Sequence, residues 1–164
     1  KTAYPVYSPS PTNTCDILFN RLAVKAISMG YQISSWPPLS MIQVVAPNAP
    51  EGTKVWGLVI PGTVPNVVLS NELSNCGKAE TLAHELGHIQ MKFMNVYMEP
   101  IVDDIAADLI QYGVIRNLDS NHDTADLTAR FLVTRSPEYV ALNAENKAAF
   151  QQVVLTAVAK LSTK

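Results

Sequence analysis

Charged side chains are scarce in this 164-residue chain: Asp, Glu, Lys and Arg make up 16% of it, 12 basic residues against 14 acidic ones. A formal net charge of -2 offers no basic field to a phosphate backbone or an anionic surface, which argues against nucleic acid as a partner. Long apolar runs are missing too. The longest candidate, Val153 to Ala159, falls well short of the roughly 18 residues that cross a bilayer, so no membrane insertion is expected. No repeat or low-complexity tract appears, and 48% hydrophobic residues exclude disorder. The length lies below the roughly 250 residues at which cores usually divide, so one domain is expected over residues 15–164. Before it, Pro5, Pro9 and Pro11 mark residues 1–14 as an extended N-terminal arm.

Cysteine is reduced to two residues, Cys15 and Cys76. They are too distant in sequence for a compact thiol-metal motif, but they permit a disulfide closing a loop of about 60 residues. Two separate buried thiols are the other reading, and both stay open. The chain starts at Lys1 and not at Met, which removal of a secretory signal would explain, as would trimming. The expectation is a secreted or periplasmic protein, with the cytoplasm as the alternative.

The pattern predicts an α+β fold, a small antiparallel or mixed sheet packed on a helical half. Apolar residues recur at helical spacing from Asp16 to Met29, and Gly30 follows as a stop. Met41 to Ala46, Lys54 to Ile60 and Asn66 to Ser70 read as strands, the last two joined as an antiparallel hairpin by the turn residues 61–65. Helices are expected over Lys78 to Met94 with Ser74 or Asn75 as cap, Val102 to Ile115, Asp126 to Thr134, a short segment opening at Pro137, and Glu145 to Leu161.

Histidine is rarer than chance placement of a motif would need: there are three, and two stand in His84-Glu85-Leu86-Gly87-His88. Chance yields this pattern in well under roughly 1% of such compositions. On a helix, residues four apart share a face, so both imidazoles can reach one metal ion at about 2.0 Å. Glu85 is turned by about 100° from His84, close enough to reach a water on that metal without ligating it, as a general base does. Zinc is the metal this set suits, and amide hydrolysis is the reaction class. A catalytic zinc takes a third protein ligand and leaves one position to water. Asp104 is the expected third ligand and Asp108, one turn on, a carboxylate that orients a histidine; Asp103 fits a solvated charge at the helix start. Asp108, Asp103 and Glu99 remain the alternatives to Asp104. Tyr112 and His122 are candidates for stabilising an oxyanion, against the ordinary readings of core tyrosine and exposed loop histidine.

The stretches Val55-Trp56-Gly57-Leu58, Asn66 to Ser70 and Thr81 to His88 together resemble the zincin metallopeptidases, nearest to the ImmA/IrrE-related group. That group carries a later Glu-x-x-Ala-Asn/Asp motif. Asp104-Ile105-Ala106-Ala107-Asp108 matches it with Asp in place of the usual Glu ligand. Asp108 to Gly113 looks somewhat like the aspartate motif of the aspzincins, with one residue too many between Asp and Tyr. The Glu-x-x-Ala-Asp arrangement also occurs in HtpX-like peptidases, whose spanning helices are missing here, and Met94 stands where metzincins place a third histidine. The resemblance covers residues 55–115. It implies a minimal zincin fold, a Zn2+ cofactor, a protein or peptide substrate, and a sheet edge that holds the substrate as an added strand, with Val67 to Ser70 or Lys54 to Ile60 as candidates. Two other functions are compatible with the same residues: a zinc-binding interaction or effector module with a structural or vestigial site, and a zinc amidase acting on cell-wall peptides. Glu85, which a structural site does not need, favours catalysis.

Overall fold

The computed structural model describes residues 9–94, 100–122 and 137–163. The fold is α+β. In chain order the described elements are α1 (Asp16–Ser28), β1 (Gln32–Trp36), α2 (Pro38–Val45), β2 (Gly57–Ile60), β3 (Asn66–Ser70), α3 (Asn75–Phe93), α4 (Pro100–Leu118), α5 (Pro137–Val140) and α6 (Ala144–Ser162). They fall into two compact units, Pro9–Glu85 and the chain from Leu86 onward, and α3 runs continuously through the junction.

In the first unit, α1 buries Leu18, Leu22 and Ala26 and ends as its sequence implies. Gly30 takes φ 91°, which L side chains avoid, and the two terminal carbonyls of a Schellman motif are met: Tyr31 N–H donates to Ala26 O and Gly30 N–H to Ile27 O, both at 3.0 Å. The sheet is mixed, in the order β1-β3-β2, with β1 parallel and β2 antiparallel to β3. The β2–β3 hairpin is present, and Asn66–Ser70 is the strand its pattern predicts. Because β3 is central, Val67 to Ser70 cannot be the edge that receives a peptide; of the two candidate segments only the one containing β2 lies at an edge. Val67, Val68 and Leu69 are all buried, the continuous apolar run of a strand covered on both faces.

Two local readings are corrected. Residues 41–46 are not a strand but the last turns of α2 and its C-cap Ala46, and the helix's first turn is set by Pro37 in extended conformation and Pro38 at the first helical position. Three β-branched residues, Ile42, Val44 and Val45, mimic a strand there, yet only Met41 is fully buried. The sequence reading leaves residues 32–36 without an element, whereas β1 forms there. Its serines carry little strand propensity, and pairing with β3 decides the conformation, from Gln32 opposite Asn66 to Trp36 opposite Ser70.

Residues 9–14 take neither helix nor strand, as their prolines imply, but they are tied to the start of α3. Cys76 N–H donates to Thr12 O at 3.1 Å, Asn75 N–H to Asn13 Oδ1 at 3.0 Å and Ser10 N–H to Glu80 Oε1 at 3.1 Å, while Ser74 Oγ donates to Ser10 O. Cys15 and Cys76 are joined as a disulfide at the same place, with Cα atoms 4.8 Å apart. Ser74 is the cap of α3: its Oγ accepts from Gly77 N–H at 3.0 Å.

In the second unit, α4 buries Val102, Ile105, Ala106, Ala107, Leu109, Ile110, Val114 and Ile115, so it is covered almost all round. α6 begins at an Asn143 cap whose side chain accepts from Asn146 N–H, and it buries Phe150, Val153, Ala157 and Leu161. The helix expected over residues 126–134 and Glu99 both lie outside the described residues.

Candidate metal centre

The centre is carried by α3 and α4. His84 and His88 stand one turn apart on a single helix, so their relation is set by that helix alone. Leu82, Ala83, Leu86 and Ile89 bury the rest of the circumference, leaving the two histidines and Glu85 partly open. At Gly87 the second helix comes close. A Cβ there would stand 3.2 Å from Ile110 Cβ and 3.4 Å from Ala107 Cα, so the missing side chain lets α4 lie against α3. The pairs 88 with 103 and 104, then 87 with 107 and 110, run in opposite senses along the two helices.

That approach delivers two carboxylates to His88. Asp103 Oδ2 is 2.7 Å from Nδ1, and Asp104 Oδ1 is 3.4 Å from Nε2. Ligand atoms of His84, His88 and Asp104 all lie within 4.8 Å of one another. Asp104 thus stands where the sequence reading expects the third ligand. Asp103 is a correction to that reading: expected to be a solvated helix-start charge, it is the carboxylate that meets Nδ1 of His88. Four-residue periodicity put Asp104 and Asp108 on one face and left Asp103 turned away. The His88 ring lies between both neighbours, however, with Asp103 at Nδ1 and Asp104 at Nε2. Asp108, 5% exposed, is buried within α4.

The donor chemistry fits a divalent ion. A neutral His88 that donates Nδ1–H to Asp103 would present the lone pair of Nε2 to a cation shared with Asp104, whereas a protonated ring would donate to both carboxylates. The 3.4 Å separation of Nε2 and Asp104 Oδ1 is close to the roughly 3.3 Å edge of a tetrahedron with bonds of about 2.0 Å around zinc. The side chains of His88 and Asp104 are 28% and 51% exposed, so the open side faces solvent. A closed structural site would be shut off from water.

Two candidates stay outside this group. Tyr112, half-buried, is eight residues beyond Asp104 on α4, about 12 Å along the axis by helical rise. His122 sits in the turn after α4, where its N–H donates to Asp119 O at 3.2 Å, and it is not one of the three converging donors. Cys15 and Cys76 spend their thiols on each other and have no thiolate to give a metal. A residue the sequence reading did not single out also belongs here. Gly57 opens β2, and a Cβ on it would meet Thr81 Cγ2 at 2.6 Å, Glu85 Cγ at 3.2 Å and Glu85 Oε1 at 3.3 Å.

Comparison of the chain with protein-family models, curated proteins and solved structures finds no match in any of the three. The zincin resemblance therefore rests on the motif residues, and any functional reading rests on the geometry above.

Proposed function

We propose that the chain is a zinc-dependent endopeptidase, with His84, His88 and Asp104 as ligands and Glu85 as general base. The observation that carries this is the convergence of two imidazoles and one carboxylate around a solvent-facing point, with Glu85 on the same helix between the histidines. Zinc bound there would supply a Lewis acid for a substrate carbonyl and bring the pKa of a water toward about 7. Asp103 holds His88 in the tautomer that leaves Nε2 to the metal. Glu85 accepts the proton of the attacking water and returns it to the departing amine nitrogen. The substrate proposed is unfolded protein or peptide, whose amide bonds these groups can hydrolyse. The Cys15–Cys76 disulfide supports an oxidising compartment, outside the cell or in the periplasm.

Zinc content and casein hydrolysis of pure protein test the reading. Wild type is expected to hold one zinc and to cleave casein; His84→Ala and Asp104→Ala lose stoichiometric zinc; Glu85→Gln keeps zinc and loses at least about a hundredfold in rate. Full proteolysis by Glu85→Gln would refute the base. Cleavage confined to muropeptides would turn the reading to a cell-wall amidase, and a zinc-loaded wild type inert on every substrate would reduce it to a metal-binding module.

A further inference from the structure

We infer that Gly57 is a positioning residue for Glu85: the space where its side chain would stand is taken by the Glu85 carboxylate and the Thr81 methyl, so the start of strand β2 sets where the general base lies. This rests on the role proposed for Glu85. All three residues belong to the unit Pro9–Glu85. β2 is an edge strand, held on one side by β3 with Gly57 opposite Leu69. Alternation sends Leu58 to the other face, where it packs with Met41 and Val68, and leaves Gly57 facing the helix that carries Thr81 and Glu85.

The distances separate two effects. An added methyl would be 2.6 Å from Thr81 Cγ2, nearer than such atoms approach, and Thr81 is buried, so relief there must come from the packing. Toward Glu85 it would be 3.2 Å from Cγ and 3.3 Å from Oε1, and that side chain can give way by a few tenths of an ångström. Any side chain at position 57 therefore pushes the base along the direction away from β2. A glycine in a strand costs conformational freedom and contributes no packing, and here that cost accompanies contact with the one carboxylate whose position the chemistry needs.

Gly57→Ala, Thr81→Ser and the double variant Gly57→Ala/Thr81→Ser separate the effects, because serine removes the methyl at 2.6 Å and leaves the contacts to Glu85. The readouts are thermal midpoint, bound zinc, kcat and KM on a casein-derived peptide, and the carboxyl 13C resonance of Glu85 in glutamate-labelled protein without metal. Gly57→Ala is expected to lower the midpoint and the double variant to recover it, with zinc at the wild-type ratio in both. kcat falls about tenfold or more in the double variant relative to Thr81→Ser while KM stays within about twofold, and the Glu85 resonance moves. A double variant with the kcat and Glu85 resonance of Thr81→Ser would overturn the inference, as would one that fails to fold, since only contacts to a movable side chain would then remain. If wild type itself cleaves nothing, the peptidase reading fails separately, and the Glu85 resonance still decides whether Gly57 places that carboxylate.

Discussion

At the level of single residues, the candidate centre is a matter of which atom of an imidazole faces which carboxylate. In the proposed centre Asp103 would act on the metal only through His88, whose Nδ1 it meets. Asp103→Asn keeps the shape but weakens the acceptor, so zinc affinity should fall about 10- to 100-fold with full stoichiometry at saturating zinc. Asp104→Asn should lose far more, and competitive titration with a chromophoric chelator measures both. Equal losses would mean that the two aspartates share the metal. A second residue reports on pH. Burial pushes the Tyr31 phenol above its ordinary 10.0. The unfolded chain then ionises first, binding fewer protons than the folded one, so the Tyr31 contribution to stability is constant below pH 10 and is lost as pH rises past it. Urea midpoints should show this decline, and Tyr31→Phe should flatten it.

Between residues and the whole lie the helices, and α3 is the one on which the centre depends. Its first amides are met by Ser74 Oγ at Gly77, Thr12 O at Cys76 and Asn13 Oδ1 at Asn75. Ser74→Ala should therefore cost about 1 kcal/mol in chemical denaturation, with zinc stoichiometry unchanged. A loss well above that would show that the contact to Ser10 O matters more than the cap. The same scale explains where a reading of sequence succeeded. α1 shows an apolar stripe and a legible stop at Gly30, α6 shows an apolar stripe, and β3 is a short unbroken apolar run next to turn residues. It failed at α2, where β-branched residues sit on a helix that two prolines start, and at β1, whose serines are made a strand by the neighbour they pair with.

At the scale of the chain, the disulfide closes a long loop, since Cys15 and Cys76 are 61 residues apart. Closing such a loop lowers unfolded-state entropy by about 4 kcal/mol in the chain-entropy account. Reduction, or Cys76→Ser, should lower the unfolding free energy obtained from urea titration by an amount of that order, while an unchanged value would mean that the hydrogen bonds of residues 10–13 alone hold the segment. Zinc bound at the proposed centre would be a second contributor, because an ion that binds only the folded chain stabilises it by about 4 kcal/mol at a thousandfold excess over its dissociation constant.

His84, Glu85 and His88 were readable from spacing alone, because a helix fixes the relation of residues four apart whatever surrounds it. So were the α+β class and the hairpin, which depend on neighbours in sequence. Asp103 as the partner of His88, β3 as the central strand, and Gly57 against Glu85 are relations between elements 15 or more residues apart. No local pattern encodes them: they exist only once Gly87 lets α4 approach α3 and the β1–β3 pairing places β2 at the sheet edge.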